Sequence, residues 1–233
     1  KIPMSILPPL VEKLSLLNTE NSVDNSIPAM ALRTVVTTLP RPMSGVAPTK
    51  EVTESYQALS RVLIPRLLGR VVIKQTSKTN MKLPTAPAGM LDLESSKDID
   101  PEAVDVLIEV VRCYGPMLQQ AEVEALQALL VAILETERAS SVVKKRTVVA
   151  VSILALYLTD DGLSGFISQL IESLRNPHLT LVQRRLYITI LGSMARSISS
   201  RFGPYLKTLA PFVLSALSQQ ELDDQKENSA EDG

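Results

Sequence analysis

The chain has 233 residues, a formal net charge of −1, and a composition that is 45% hydrophobic and 3% aromatic. This length can bury a sizeable core, but the near-zero net charge gives no general electrostatic attraction to DNA or RNA. The shortage of aromatic rings argues against the stacking platforms that hold single-stranded nucleic acid. The longest apolar run is far shorter than the ~20 residues that cross a bilayer. We therefore expect neither nucleic acid nor a membrane as a partner.

Helical patterning extends along the chain, and no alternating segment between turn signals indicates a strand. The first predicted helix covers 2–17 and carries apolar residues at i, i+3 and i+4 spacing, with Pro8 and Pro9 suggesting a kink or a late start. The remaining predicted helices, in chain order, cover 26–39, 51–73, 100–114, 120–136, 141–158, 161–174, 179–198 and 202–218.

Two segments interrupt the helical pattern. Residues 74–98 are rich in proline and small polar residues and have no apolar stripe, so we expect an inserted, mobile surface loop. The final stretch, 219–233, carries six acidic residues against one lysine and cannot bury enough surface to order itself. We therefore predict a helical domain over 1–218, followed by an acidic disordered tail over 219–233.

Two helical segments recur with one common offset of 39 residues. Residues 143–146 recur as 182–185, and residues 166–170 recur as 205–209. A period of about 40 residues that contains two helices is typical of HEAT repeats, which stack side by side and leave long surfaces free for partners. We therefore predict an all-α fold, a right-handed HEAT-repeat α-solenoid with four helix pairs after an unpaired first helix.

Positions that match between repeats have two further features. Arg146, Arg184 and Arg185 recur in register, and we expect them to bridge neighbouring repeats and cover apolar surface with their stems rather than to contact a partner. An apolar-x-Pro-x-apolar pattern lies within helical segments, where proline bends a helix. Such a bend would help the second helix of each pair to follow a curved stack. The pattern occurs at 6–10, 63–67 and 209–213.

Recognised catalytic and cofactor motifs are missing from the sequence. It has no glycine-rich dinucleotide or phosphate loop and no hydrolase nucleophile elbow. The single Cys113 and the single His178 lie 65 residues apart, which does not suit a metal centre. We interpret Cys113 as a buried apolar side chain, His178 as a turn residue, and Asp160 with Asp161 as a helix cap. We expect no enzymatic activity, no cofactor and no metal.

Several segments have a familiar sequence pattern, namely 32–36 with 39–42, 143–150, 183–188 and 205–211. These segments resemble the cullin-associated and neddylation-dissociated protein family. The similarity covers most of 1–218 in order, and it departs from the family pattern at the insertion and after 218. The resemblance implies a non-catalytic scaffold that binds an unmodified cullin with its RING subunit. It also implies inhibition of cullin modification by the ubiquitin-like modifier, and support for substrate-receptor exchange in ubiquitin ligases.

The resemblance also implies which part of a family member contacts each partner. Its amino-terminal repeats, which this chain resembles, pack on the carboxy-terminal region of the cullin and on the RING subunit. The element that competes with the adaptor belongs to the far carboxy-terminal end, so this chain should bind without completing exchange alone. The expected localisation is cytoplasmic and nuclear. We place candidate partner contacts at Ser168, Glu172, Lys207, Phe212 and Leu217.

The end of the helical domain predicts a second partner. The helix predicted at 202–218 passes into the acidic tail without the polar cap that a HEAT stack needs at its end. We expect carboxy-terminal HEAT repeats, on the same chain or on a separate polypeptide, to cover its free apolar residues. These are drawn from Leu206, Leu209, Phe212, Val213 and Leu217. An alternative reading is another HEAT scaffold, such as a nuclear transport receptor or a phosphatase scaffold subunit.

Overall fold

A computed structural model describes residues 3–20, 26–68, 89–91, 93, 98–215 and 218. Within these residues the chain forms helices, turns and irregular connections, and none of them is assigned to a strand. The all-α prediction is therefore confirmed. The chain divides into two compact units, residues 1–157 and residues 158–233, and each is described by itself below.

The helices of the first unit follow one another through short connections, apart from the insertion after the third. Helix α3 continues beyond its regular part as a π-helical segment, Leu59–Leu63, and then as α-helix over 64–68. The helices are α1 (Leu7–Glu20), α2 (Ser26–Thr38), α3 (Lys50–Ala58), α4 (Pro101–Tyr114), α5 (Gln120–Glu135) and α6 (Ser141–Leu154).

The second unit contains helix α7 (Asp160–Arg175), helix α8 (Leu181–Ser197) and the short helix α9 (Ser199–Phe202). A 3-10 turn, Gly203–Tyr205, then leads into helix α10 over 206–215. All nine predicted helices thus have a counterpart, the last being split into α9 and α10. The right-handed course of the solenoid stays a prediction.

Side-chain caps fix the starts of five helices. Because capping residues can be recognised in the sequence, the predicted starts of these helices lie close to the observed ones. An oxygen of each capping side chain accepts a hydrogen bond from a backbone N–H in the first turn, satisfying a donor that has no partner within the helix. The distances lie between 2.9 and 3.3 Å. The caps are Thr49, Asp100, Ser140, Thr159 and Thr180.

Helices of the first unit pack in the alternating manner of stacked repeats. One layer holds α2, α4 and α6, with α4 packed between the other two. Helix α1 packs on α2 and on α3, and α5 packs on α6. Helix α4 thus buries its apolar surface on the equivalent helices of the neighbouring repeats, as in a HEAT stack. The core is aliphatic, and Tyr114 at its edge is fully buried and donates a hydrogen bond to the carbonyl oxygen of Pro40 at 2.7 Å.

Prolines affect the helical backbone differently at the start of a helix and inside one. Pro8 and Pro9 lie in the first turn of α1, which begins at Leu7, so the late start that they suggested is confirmed. A missing N–H costs nothing there, and the mid-helix bend predicted at 6–10 is wrong. Pro65 lies inside a continuous helix, and the π-helical segment directly precedes it. The backbone N–H of Ile64 bonds to the carbonyl of Leu59, five residues earlier. This wider turn accommodates the proline within the helix.

Most of the predicted insertion, 74–98, and all of the predicted tail, 219–233, lie outside the described residues. The described end of the insertion is packed against the first unit. Met90 and Leu91 are 7% and 1% exposed, and the Met90 N–H donates to the carbonyl oxygen of Arg66 at 2.6 Å. The guanidinium of Arg138 donates to the carbonyl of Leu93. The expectation of an unpacked surface loop is therefore wrong at Met90 and Leu91.

Candidate partner-binding surfaces

An ion-pair network joins three helices of one layer in the first unit. Glu102, Asp105 and Glu109 lie along one face of α4. Arg146 on α6 contacts Asp105 at 2.8 Å and Glu102 at 3.1 Å. Arg33 on α2 approaches the same carboxylates from the other side, with Asp105 at 3.5 Å. The prediction that Arg146 bridges neighbouring repeats is confirmed, and the sequence analysis missed the matching role of Arg33.

The charges within this network indicate that it holds the helices together rather than binding a partner. Burial raises the pKa of Asp105, while the guanidinium groups of Arg146 and Arg33 act against that rise. The two guanidinium groups thus offset part of the cost of burying this carboxylate within the layer. The layer formed by α2, α4 and α6 is therefore cross-linked from within, which favours a rigid platform over a charged docking patch.

A second tie connects α3 with α5 around a buried carboxylate. Glu122 is 2% exposed and accepts hydrogen bonds from the hydroxyl of Tyr56 and from Ser60 Oγ, the latter at 2.5 Å. It also accepts from the backbone N–H of Gln119 at 2.9 Å, which closes the first turn of α5. Burial, and then the hydrogen bond to Glu122, raise the pKa of Tyr56 well above its usual value. This buried charge is stabilised by donors on two helices.

Basic side chains of the second unit also hold their own unit together. The Arg184 guanidinium donates to the carbonyl oxygen of Leu174 near the end of α7, at 3.4 Å. Arg201 pairs with Asp160 at 2.7 Å and donates to the carbonyl oxygen of Leu158 at 2.8 Å. The structural role predicted for Arg184 is confirmed, whereas Arg185 is exposed on α8.

Residues considered for catalysis have ordinary structural environments. Cys113 is buried, and burial raises the pKa of its thiol, which is the opposite of activation. The backbone N–H of His178 bonds to the Asn176 side chain at 3.0 Å, the geometry of a turn. Asp160 and Asp161 both lie in the first turn of α7, where their negative charges complement the helix dipole. Thr159 provides the cap, so the capping role predicted for the two aspartates is wrong.

Neither a metal centre nor a membrane span is found in the part of the chain that the structure describes. Within that part, no group of three or more His, Cys, Asp or Glu side chains could hold a metal ion. Among the same residues, no helix is long and apolar enough to cross a membrane. The candidate sites are therefore surfaces on the helical framework.

Four of the five candidate contact residues lie within the second unit's described part. Ser168 and Glu172 are exposed on α7, one helical turn apart, and Glu172 pairs with Arg175 at 3.3 Å. Lys207 is exposed at the start of α10. Phe212 is half-buried on the same helix, and Leu217 lies outside the described residues. Their contact with a partner stays a prediction.

An apolar groove, which we call the terminal groove, runs between α8 and α10 in the second unit and encloses about 200 Å³. The α8 wall includes the small residues Gly192 and Ala195. On the α10 wall, Leu206 is 56% and Val213 is 42% exposed. Leu209 is buried, so among the described residues that were predicted to be free, Leu206 and Val213 face solvent. Leu217 lies outside the described residues.

A second, wider groove lies in the first unit between the start of α1 and helix α3. It encloses about 400 Å³ and has a partly polar lining that includes Pro8, Glu54 and Arg61. Its charged residues are of both signs, so the groove does not select a ligand of one charge. The terminal groove is the more apolar of the two.

The chain matches a family model described as the N-terminal part of cullin-associated NEDD8-dissociated protein 1, over residues 6–225. It is 38% identical to the N-terminal part of cullin-associated NEDD8-dissociated protein 1 from Emericella nidulans, over 96% of this chain and 64% of that relative. The protein of the same name from Drosophila melanogaster is 24% identical over 97% of this chain and 16% of its own length. The Arabidopsis thaliana protein is 27% identical over 52% of this chain and 10% of its own length.

No solved structure matches the chain. The chain spans less than two thirds of each of these relatives, at 64%, 16% and 10% of their lengths. The family match covers nearly all of the helices described above and agrees with their all-α, HEAT-type pairing. The chain belongs to the family of cullin-associated NEDD8-dissociated protein 1, N-terminal part.

Proposed function

We propose that this chain is a non-catalytic scaffold that binds an unmodified cullin together with its RING subunit. Binding would inhibit attachment of the ubiquitin-like modifier to the cullin and would support exchange of substrate receptors in ubiquitin ligases. The observation that carries the proposal is the family match over residues 6–225, together with relatives named for association with cullins. The alternatives, a nuclear transport receptor or a phosphatase scaffold, have no comparable support.

The arrangement of the helices supports a binding role. Two internal ties, the Glu122 cluster and the ion-pair network around Asp105, fix the helices of the first unit relative to one another. A surface that is already ordered loses little conformational freedom when it binds a partner. In the second unit, Ser168 and Glu172 on α7 and Lys207 on α10 are exposed polar side chains that could contact a partner.

The second proposed partner is a set of carboxy-terminal HEAT repeats, on the same chain or on a separate polypeptide. Two features support it: the chain spans 64% or less of its relatives, and one relative is itself named as an N-terminal part. In the family that the chain resembles, competition with the adaptor belongs to the carboxy-terminal end. We therefore propose that this chain binds the cullin core but needs those repeats to complete receptor exchange.

A pull-down with the tagged chain from an extract of its own organism, read by mass spectrometry, tests the proposal. We expect a cullin and its RING subunit among the enriched proteins. Enrichment of a small GTPase in its active form would instead indicate a transport receptor, and enrichment of a phosphatase catalytic subunit would indicate a phosphatase scaffold. Fluorescence microscopy of the tagged chain tests the proposed cytoplasmic and nuclear localisation.

Charge-reversal variants of the candidate contact residues test whether cullin retention in the pull-down depends on this surface. Glu172→Lys and Lys207→Glu both change exposed side chains, so they should not disturb the fold. We expect each to weaken retention of the cullin core. Lys145→Glu, on an exposed position of α6 in the first unit, is the matched control and should retain the cullin as the unchanged chain does. Equal retention by all three variants would exclude Glu172 and Lys207 from the interface.

A further inference from the structure

The connection between α2 and α3 presents a serine at the tip of an exposed loop. The backbone N–H of Val46 donates to the carbonyl oxygen of Met43 at 3.3 Å, which closes a turn with Ser44 and Gly45 at its centre. Gly45 has a φ of 74°, a left-handed conformation that glycine adopts without strain. Every residue from 43 to 50 is exposed. The hydroxyl of Ser44 is therefore open to an enzyme that approaches from solvent.

Both ends of this loop are held by the helices around it. The hydroxyl of Tyr114 on α4 donates to the carbonyl oxygen of Pro40 at 2.7 Å, and Thr49 caps α3. Between these anchors, a long hydrogen bond of 3.3 Å closes the turn at 43–46. The loop can therefore extend locally while both helices keep their structure.

A basic side chain stands close before the serine, because Arg41 precedes Ser44 by three residues. The Arg41 side chain is exposed, and its guanidinium donates to the carbonyl oxygen of Thr37 at 2.6 Å, a bond that solvent can replace. One large class of serine/threonine kinases binds an arginine at this position through carboxylates beside the active site, and this charge-assisted contact selects the acceptor. Residues 39–50 include Arg41 and Lys50 but no acidic residue, so no carboxylate of the loop repels those of the kinase.

We propose that Ser44 is a phosphorylation site for a serine/threonine kinase that recognises arginine, with ATP as the phosphoryl donor. The Ser44 Oγ forms a bond to the γ-phosphorus of ATP while the bond from that phosphorus to the β,γ-bridging oxygen breaks, which releases ADP. A carboxylate of the kinase accepts the hydroxyl proton. The product carries a charge of about −1.5 to −2 at neutral pH. This charge lies between Met43 and Val46, whose side chains are 70% and 57% exposed, so phosphorylation converts an apolar loop tip into an anionic one.

The fold separates Ser44 from the other serine and threonine residues that follow a basic residue at a distance of three. Among the described residues these others all lie within helices, and they are Thr53, Ser141, Thr147 and Ser199. Thr147 has the most basic context, since 144–146 are Lys, Lys and Arg. It is nevertheless fully buried, and its hydroxyl donates to the carbonyl oxygen of Val143 at 2.8 Å. Kinases bind the acceptor with an extended backbone, so a helical acceptor would first have to unwind, whereas Ser44 would not.

Incubation of the purified full chain with ATP and a calmodulin-dependent protein kinase, which selects acceptors by this arginine, tests the site. Mass spectrometry locates the phosphate, and radiolabel incorporation gives the initial rate. We expect phosphate on Ser44 and none on Thr147, and Ser44→Ala should abolish incorporation at the loop. Arg41→Ala should slow it at least about tenfold, because the charge-assisted contact is lost. Both variants change exposed loop positions and so preserve folding.

Lys144→Ala is the matched control, because it removes the basic residue three positions before Thr147 instead. It should leave the rate at Ser44 unchanged. Incorporation into Thr147 ahead of Ser44, or equal rates for the unchanged chain and Arg41→Ala, would overturn the proposal.

Phosphopeptide mass spectrometry of the chain purified from its own organism, after treatment of the cells with a phosphatase inhibitor, tests the site in cells. We expect a phosphorylated peptide that contains Ser44. Modification by the purified kinase without any in the treated cells would overturn the proposal, since the first assay would then report accessibility alone. Neither assay involves a cullin, so this inference goes beyond the proposed function, and the failure of one leaves the other standing.

Discussion

The ring of Tyr157 lies directly against the backbone of Gly115, so closely that a methyl group on Gly115 would overlap with the ring atoms. Gly115 ends α4, and Tyr157 closes the 3-10 turn that follows α6. The absence of a side chain at Gly115 therefore allows two neighbouring helices of the first unit to meet at their ends. Burial raises the pKa of Tyr157, in agreement with a ring that is partly removed from water.

We expect Gly115→Ala to destabilise the first unit by about 1–3 kcal/mol, because the methyl group must displace the ring of Tyr157. Urea unfolding followed by circular dichroism measures the change. In the double variant with Tyr157→Ala the methyl group has space, so the two costs should not add. Gly203→Ala, where an added Cβ meets nothing within 4 Å, is the control and should change stability little. Strict additivity of the double variant would contradict the contact.

Replacement of the buried Glu122 should be costly because it leaves donors on two helices without an acceptor. We expect Glu122→Leu to lower the free energy of unfolding by about 1–3 kcal/mol for each donor left unsatisfied, namely the hydroxyls of Tyr56 and Ser60 and the backbone N–H of Gln119. The matched control is Glu124→Leu, because the Glu124 carboxylate is on the exposed face of α5 and accepts a hydrogen bond there from the Gln120 side chain. Equal unfolding midpoints for the two variants in urea would show that the Glu122 tie contributes nothing.

The ion-pair network predicts that the free energy of unfolding depends on pH. The direction of the pKa shift of Asp105 gives the sign of that dependence. Burial raises the pKa of Asp105 in the folded chain, so its contribution to stability is fully present below its ordinary value of 3.8 and is lost as pH rises through the folded pKa. Arg146 limits that loss, because its guanidinium lies 2.8 Å from the carboxylate.

Arg146→Met should therefore raise the pKa of Asp105 further and cost about 1 kcal/mol at pH 7. The difference from the unchanged chain should shrink as the pH falls below the ordinary value of 3.8, because the Asp105 carboxyl then loses the charge that Arg146 stabilises. Chemical unfolding at the two pH values measures it. Arg175→Met, which removes an exposed pair with Glu172 at 3.3 Å, is the control and should have little effect at either pH. A larger cost at acid pH than at pH 7 would contradict the assignment.

The packed end of the insertion predicts a stability cost that a surface loop would not have. Leu91→Ala should destabilise the first unit by about 2–5 kcal/mol, because Leu91 is 1% exposed and its truncation leaves a cavity. Ile27→Ala changes an aliphatic residue that is 68% exposed and should cost less than about 0.5 kcal/mol. Thermal unfolding of the two variants compares them. A melting temperature for Leu91→Ala equal to that of Ile27→Ala would show that the segment is not packed.

The sequence located the helices well because their signals are local. Turn residues and caps such as Asp100 and Thr180 lie next to the helices they begin, so the helix starts are evident without tertiary information. The burial of Cys113 followed from its helical context and from the general tendency of cysteine to be buried. The bridging role of Arg146 followed from the 39-residue offset. The offset also predicted HEAT-type pairing of the helices. The match to the family model agrees with the family resemblance seen in the sequence.

Long-range contacts were not predictable in the same way. Glu122 reads in sequence as an ordinary acidic residue in the first turn of a helix, and its bond to Tyr56 spans 66 residues. Met90 and Leu91 lie in a stretch without periodicity, so no local pattern indicated their burial. In the terminal groove, periodicity marked Leu206 and Leu209 alike as apolar, and tertiary packing buries Leu209 while leaving Leu206 open.

The affinity of the purified chain for a cullin–RING core, measured with and without the ubiquitin-like modifier attached to the cullin, tests the central claim most directly. Calorimetric titration gives both dissociation constants under one set of conditions. We predict binding to the unmodified core and at least about a hundredfold weaker binding to the modified core, which corresponds to about 2.7 kcal/mol. Equal affinity for the two cores, or no binding to the unmodified core, would contradict the account.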